Sequence, residues 1–111
     1  LEAYDLEPRD CLVVVDDMAL DAGRLRFRRR GSAGGHNGLI SIEERLGTRD
    51  YARLRVGIGP APASTEWADF VLTPFSKEER ERINEALERA VDGIELLLQD
   101  GMDRTMSLYN R

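Results

Sequence analysis

The sequence predicts an α/β fold in which a parallel or mixed sheet is covered by helices. Three observations indicate this class. Residues 12–15 form a continuous, largely β-branched apolar run, which is typical of a strand buried on both faces. Residues 24–28 and 53–59 alternate apolar with basic or small side chains, as half-buried strands do. Residues 77–99 carry an apolar stripe at helical spacing.

The first half of the chain predicts two strands followed by a helix. Ala22 and Gly23 supply a turn after the apolar run and its acidic end. In residues 24–28 the apolar side chains face one side and three arginines the other. Asn37 is the N-cap candidate for a helix with one apolar face, which Gly47 is placed to end. That face consists of Leu39, Ile42 and Leu46.

The second half predicts a third strand and the longest helix. In residues 53–59 we expect the apolar side chains to point inward and the arginines Arg53 and Arg55 outward. Residues 60–65 are a proline-containing loop, and residues 67–72 are predicted to form one helical turn. Ser76 and Glu79 form a capping-box pattern before residues 77–99, and Gly101 ends that helix. Residues 102–109 are predicted to form a short final helix.

Composition narrows the class of protein. The chain has 111 residues, 41% hydrophobic and 33% charged, which fits a globular domain and argues against disorder. No apolar stretch approaches the roughly 18 residues of a membrane helix. A single cysteine, Cys11, excludes an internal disulfide and a cysteine-based zinc site, so we expect a cytoplasmic location.

The most informative segment is residues 31–39, where four glycines surround the chain's only histidine. Such a run predicts positive φ angles or a close approach of the main chain to another group. His36 has two possible roles at this stage. It is a general-base candidate, because imidazole titrates near neutral pH, or its ring nitrogens pin the loop. A metal site is not expected, since there is no second histidine and no cysteine pair.

An aspartate and a set of arginines complete the candidate site. Asp16 ends the predicted strand of residues 12–15, where α/β sheets place working groups, and either orients an imidazole or caps the following turn. Asp17 is expected to be solvated. The net charge of −5 argues against nucleic acid, but residues 24–30 hold five arginines and no acid. This stripe is either a solvated, salt-bridged face or a phosphate-binding surface.

The sequence resembles the bacterial-type peptidyl-tRNA hydrolases. The resemblance rests on four matches in order: Val-Asp-Asp at residues 15–17, Ser-Ala-Gly-Gly-His-Asn-Gly-Leu at 32–39, Arg-Leu-Arg-Val-Gly-Ile-Gly at 53–59 and Asp-Phe-Val-Leu at 69–72. It implies a mixed, twisted sheet between helices in a three-layer arrangement. It also implies an esterase that cleaves the bond between a stalled peptide and the terminal ribose of tRNA, without a cofactor.

The resemblance also implies roles for individual residues. In that family a histidine acts as general base on a water, an aspartate orients the histidine, and asparagines hold the substrate. Asp16 matches the orienting aspartate and Asn37 a substrate-binding asparagine. Gly34 and His36 match the neighbours of that asparagine in the loop. The positions where the family carries basic residues facing tRNA are Arg26, Arg28 and Arg55.

Two departures from the family pattern affect the interpretation. Ile40 replaces a residue that is usually basic. The family's catalytic histidine and two of its asparagines belong to an N-terminal half, and His36 is not that histidine. We therefore expect residues 1–111 to be the C-terminal part of a single domain that is truncated at its N-terminus. This agrees with the small number of helices available to cover the strand of residues 12–15.

Three functions follow as hypotheses. The first is a peptidyl-tRNA hydrolase in which this chain supplies Asp16, the glycine-rich loop and the tRNA-facing arginines. The second is a non-catalytic RNA-binding relative of the same fold. The third is a protein-interaction module, in which an uncovered apolar face pairs with another chain. The expected partner is tRNA, with no metal and no membrane, and the chain is expected to be a monomer or to self-associate through the surface left by the absent half.

Overall fold

A computed structural model describes residues 6–34, 36–59 and 74–110. After a short 3-10 turn at Pro8–Asp10 come the strands β1 (Leu12–Asp21) and β2 (Leu25–Arg28), and helix α1 (Asn37–Leu46). Strand β3 (Ala52–Gly59) and the helices α2 (Lys77–Asp100) and α3 (Met102–Tyr109) follow. The loop and helical turn predicted for residues 60–72 lie outside the described residues.

The sheet is mixed, as expected, and β3 is its central strand. Strand β1 pairs with β3 in parallel, and β2 pairs with β3 antiparallel, which gives the order β1-β3-β2. The prediction that residues 12–15 form a strand buried on both faces is wrong for the described sheet. This segment is the start of a ten-residue strand beside β3, and Val14 is 52% exposed. An apolar run indicates that a strand is buried, but it does not show which elements cover its two faces.

One face of the sheet packs against the two C-terminal helices. Leu25 and Phe27 of β2, with Leu54 and Val56 of β3, meet Ala86 and Ala90 of α2 and Met102 of α3. Phe27 is fully buried, and burial of one such side chain contributes about 2–3 kcal/mol to stability. The alternation predicted for these two strands is therefore confirmed on their apolar side.

The other face of the sheet packs against α1. Leu39 of α1, Tyr51 and Ala33 form a second buried cluster. It is extended by the half-buried Val13 and Val15 of β1 and Ile42 and Leu46 of α1. The molecule thus has three layers, with α1 on one side of the sheet and α2 and α3 on the other. The predicted fold class is confirmed, and the arginines of β2 and β3 point to the α1 side.

The helix boundaries follow the capping signals. The Ser76 hydroxyl accepts the Glu79 N–H at 3.1 Å, and the Glu79 carboxylate accepts the Ser76 N–H at 2.9 Å, as the capping-box pattern predicts. Helix α1 ends at Gly47, whose φ of +73° is favourable for glycine. Across the three described stretches, no helix combines the length and apolarity that crossing a bilayer demands.

Candidate functional site

The glycine-rich loop lies beside the point where β1 stops following β3 regularly. Strand β1 pairs in register with β3 through Asp17, and the register then shifts before Asp21. The residues around His36 come back to this irregular point from 20 positions further along the chain. The structure therefore brings the main chain of Asp16 beside the ring of His36.

Both ring nitrogens of His36 are engaged in holding the loop. Nδ1 accepts the N–H of Leu39 at 3.2 Å, which makes His36 the N-cap of α1. Nε2 lies 2.7 Å from the main-chain oxygen of Asp16. Because that oxygen can only accept, the contacts fit a neutral imidazole with its proton on Nε2. Of the two roles open from the sequence, the geometry supports pinning of the loop.

Asn37 is not the N-cap of α1, contrary to the sequence prediction. It is the first helical residue, one position after the cap, and its side chain is exposed. Asparagine is the commoner cap, but the imidazole of His36 offers an acceptor nitrogen at the same reach. This leaves the Asn37 amide free of the capping role, at the mouth of the loop.

The side chain of Asp16 is largely in solvent. It is 71% exposed, and its Oδ1 lies 4.0 Å from His36 Nε2, which is longer than a hydrogen bond. His36 is held by the main chain of Asp16 and not by its carboxylate. The carboxylate remains available to orient another group, which is the chemistry expected of it.

Asp17 is buried and paired, contrary to the expectation that it is solvated. Its side chain is buried, and Oδ2 accepts a hydrogen bond from Arg55 Nη1 at 2.9 Å. Oδ1 accepts the N–H of Ala19 at 2.8 Å. Both oxygens therefore have fixed partners. The second partner lies within the register shift of β1, where the ladder leaves an N–H to be satisfied.

Arg55 connects this carboxylate to the loop. Its Nη2 donates to the main-chain oxygens of Ser32 at 3.3 Å and Ala33 at 3.1 Å. Gly34 lies over the same guanidinium with a φ of +59°, a conformation that glycine adopts at little cost. The prediction of positive φ in this loop is confirmed at Gly34.

Arginines are concentrated on the α1 side of the sheet. The cross-strand partners are Arg26 with Arg55 and Arg28 with Arg53. Like charges directly opposite each other destabilise a sheet, so this block opposes stability unless something compensates it. These four arginines, with Arg30, line a cavity of about 290 Å³, and among its described lining residues Asp17 is the one acid. Such a cavity attracts an anion.

Arg53 is not outward and solvated, as the alternation predicted, but only 1% exposed. Its guanidinium lies 4.0 Å from the centroid of the Tyr51 ring, and Nη2 donates to the main-chain oxygens of Arg49 and Tyr51. Glu43 of α1 lies 3.6 Å from Nη1. Burial raises the pKa of Tyr51, the charge of Arg53 opposes this, and Glu43 adds to it. The α1 layer covers this end of the arginine face.

The other predicted arginines lie where expected or just outside the strand. Arg26 is half-buried, and no described group pairs with its buried Nε. Arg28 is exposed at the end of β2. Arg24 lies one residue before β2, where its side chain is exposed and its main-chain oxygen accepts the Gly57 N–H at 2.7 Å. In the described stretches, no three histidine, cysteine, aspartate or glutamate side chains converge on a possible metal position.

Comparison with known proteins identifies the family of this chain. The sequence model of the family "Peptidyl-tRNA hydrolase" matches residues 1–111. The chain belongs to the peptidyl-tRNA hydrolase family. A peptidyl-tRNA hydrolase of Desulfitobacterium hafniense is 47% identical over 108 residues, and one of Elusimicrobium minutum is 43% identical over 108 residues. Each match covers 97% of this chain and 58% of the relative.

Solved structures of the peptidyl-tRNA hydrolase family have the same fold. The crystal structure of the peptidyl-tRNA hydrolase from Acinetobacter baumannii superposes with a TM-score of 0.87 at 28% identity. That match covers 98% of this chain and 55% of the other. The chain therefore spans somewhat more than half the length of the relatives it matches, and its layers are those of a peptidyl-tRNA hydrolase-like domain.

Proposed function

We propose that this chain takes part in the hydrolysis of peptidyl-tRNA, by holding the acceptor end of the substrate. The family is shown by sequence, while the activity of the whole protein is inferred for this chain. The observation that carries the proposal is the arginine block beside the glycine-rich loop. A basic cavity next to exposed main-chain and amide groups suits a nucleic acid end that carries phosphates and a polar ester.

The proposed roles follow from what each side chain is free to do. The exposed carboxylate of Asp16 orients the histidine that removes a proton from the attacking water. The exposed amide of Asn37 and the main chain at Gly34 contact the substrate, and His36 keeps this loop in place. Arg26 and Arg28 face the phosphates. Arg55 adds its charge at the floor of the same cavity.

His36 is not the general base in this proposal. A base needs a nitrogen that can accept a proton from water, and Nδ1 of His36 already accepts the Leu39 N–H. Since His36 is the only histidine of the 111 residues, the base comes from outside them. In the proposed reaction, water attacks the ester carbonyl carbon and the ribose oxygen leaves with a proton.

Removal of two arginines tests the proposal. Arg26→Ala combined with Arg28→Ala is expected to weaken binding of deacylated tRNA and to flatten the dependence of log K on log salt. Each lost phosphate contact lowers the slope by about 0.7–0.9, so two contacts change it by about 1.5. The measurement is a titration of tRNA binding at several salt concentrations.

A matched control variant removes the same number of positive charges from a different surface of the protein. Arg80→Ala combined with Arg104→Ala removes two positive charges from α2 and α3, on the opposite face of the sheet. This variant is expected to leave the salt slope unchanged. An equal effect of both double variants would reduce the arginine face to general electrostatics, and an unchanged slope in the first would exclude Arg26 and Arg28 from the site.

A non-catalytic RNA-binding protein is the second candidate. The observation that favours it is the engagement of both nitrogens of the only histidine, which leaves the chain with binding groups but no base. Adding the general base in trans separates the two functions. If a segment from a longer relative that carries its own histidine restores hydrolysis when mixed with this chain, the enzyme is favoured. Binding without restored hydrolysis favours the RNA-binding protein.

A further inference from the structure

The loop and the arginine face are joined through one carboxylate. Asp16 and Asp17 are consecutive residues of β1, and each holds one end of the glycine-rich loop. The main-chain oxygen of Asp16 accepts from His36, at the end of the loop nearest α1. The carboxylate of Asp17 holds Arg55, which donates to the carbonyls of Ser32 and Ala33 at the other end.

Arg55 needs an acid to stay in this position. Its cross-strand partner is Arg26, and Arg53 lies two residues before it on the same face of β3. Both neighbours repel its guanidinium. The side chains of Asp17 and Arg55 are 10% and 16% exposed, so solvent screens this pair only weakly. Without the carboxylate, repulsion by these neighbours is expected to push the Arg55 guanidinium toward solvent and away from the loop carbonyls.

The carboxylate itself is fixed in two directions. Its second oxygen accepts the Ala19 N–H, which the register shift of β1 leaves without a ladder partner. The Ala19 N–H therefore fixes the orientation of the Asp17 carboxylate, and the carboxylate in turn fixes the position of the Arg55 guanidinium. Arg55 Nη1 donates to the carboxylate while Nη2 donates to both carbonyls, so one planar guanidinium bridges the carboxylate and the loop.

We propose that Asp17 is a positioning residue, which fixes Arg55 so that its guanidinium holds the turn of residues 32–34 in the conformation that receives the substrate. Asp17 touches no substrate in this arrangement. The inference rests on the proposed function for its consequence in tRNA binding, whereas the coupling from Asp17 to the loop stands independently of it.

Hydrogen exchange tests the coupling directly. The N–H of His36 donates to the oxygen of Ala33 at 3.0 Å, the same oxygen that Arg55 holds, so its exchange rate reports on the turn. Asp17→Asn keeps the size of the side chain and an oxygen for Ala19. It is expected to accelerate exchange at His36 about tenfold, the scale of one lost charged hydrogen bond. The amides of Leu54 and Val56 in the core are expected to be unaffected.

Two further variants exclude a general loss of stability. Asp21→Asn removes an exposed carboxylate from the same strand and is expected to leave His36 exchange unchanged. Adding Asp17→Asn to Arg55→Gln is expected to cause no acceleration beyond that of Arg55→Gln alone, because Asp17 acts through Arg55. Unchanged exchange in Asp17→Asn, or full additivity in the double variant, would overturn the proposal.

Binding of tRNA distinguishes two effects of Asp17→Asn, because the loss of charge and the misplacement of the loop change the affinity in opposite directions. Removing a negative charge beside a basic cavity strengthens binding of a polyanion if electrostatics alone decide. Misplacement of the loop weakens it, and we expect Asp17→Asn to bind deacylated tRNA severalfold more weakly. Tighter binding would overturn the role of Asp17 in substrate binding. Failure of the proposed function itself appears elsewhere, as an unchanged salt slope in the Arg26 and Arg28 double variant.

Discussion

Nε2 of His36 donates to the main-chain oxygen of Asp16 at 2.7 Å, across 20 residues of sequence. The other ring nitrogen caps α1. One side chain thus fixes the start of a helix and attaches it to the end of the regular part of β1. This explains why a histidine occupies a position where serine, threonine, asparagine or aspartate is commoner: none of these reaches the cap and a strand together.

Two substitutions of His36 separate these roles. His36→Asn keeps a good N-cap but is too short to reach Asp16, and is expected to cost about 1 kcal/mol of unfolding free energy. His36→Ala loses both contacts and is expected to cost about 2 kcal/mol. Urea unfolding measures both. As a control, Asn37→Ala is expected to change stability by less than about 0.5 kcal/mol, because Asn37 is not the cap. A larger effect at Asn37 than at His36 would reverse the assignment.

The isolated chain is expected to hydrolyse peptidyl-tRNA poorly. A general base typically contributes about 10²–10⁴-fold to a rate, and the only histidine here is committed to the loop. Release of labelled peptide from peptidyl-tRNA should therefore be at least about 100-fold slower than with the longer Desulfitobacterium hafniense relative. Robust turnover by the 111-residue chain that is abolished by His36→Ala would show that His36 is the base after all.

The sequence predicted where the strands and helices lie better than it predicted which elements pack against them. Alternation in residues 24–28 and 53–59 located both strands and their apolar faces, because period-2 patterns depend only on local geometry. Alternation could not show that Arg53 is buried. Its face is covered by Tyr51 and α1, and that cover depends on how the chain returns to the sheet.

The candidate site shows the same division. The glycine pattern and the position of Asp16 after an apolar run indicated the two segments that meet in the structure, but not that they meet through the main-chain oxygen of Asp16. The expectation that Asp17 is solvated was wrong, because Asp17 finds its partner Arg55 38 residues later in the chain. A pair of acids at a strand end carries no local signal of which one is paired.

The capping box of α2 predicts a dependence of stability on acid. The Glu79 carboxylate accepts the Ser76 N–H, and this hydrogen bond lowers the pKa of Glu79 from its usual value of 4.5. A lowered pKa in the folded state means that the stabilisation is present above the unfolded pKa and is lost as the pH falls through the folded one. Glu79→Gln is therefore expected to cost about 0.5 kcal/mol at pH 7 and nothing at strongly acidic pH.

The measurement for Glu79 is urea unfolding at pH 7 and near pH 2. Glu88→Gln, in the exposed middle of the same helix, removes a charge without removing a cap and serves as the control. A difference between wild type and Glu79→Gln that persists unchanged at low pH would show that the carboxylate's charge contributes nothing to the cap.

Gly57 is expected to be the glycine least tolerant of a side chain in the described sheet. A Cβ at this position would overlap the main-chain oxygen of Asp21, where β1 crosses close to β3 after its register shift. Gly93 of α2 is a matched comparison, since a Cβ there would meet the ring of Phe27 at 2.8 Å. A ring can shift and a helical alanine recovers about 1 kcal/mol of propensity, whereas main chain cannot move without breaking the ladder. We expect Gly57→Ala to cost about 3 kcal/mol and Gly93→Ala about 1 kcal/mol by urea unfolding.

Because the same register shift supplies the Ala19 N–H that fixes Asp17, Gly57→Ala should also accelerate hydrogen exchange at the His36 amide, and Gly93→Ala should not. If Gly93→Ala were the more damaging of the two, the close approach of β1 and β3 at Asp21 would not limit this sheet.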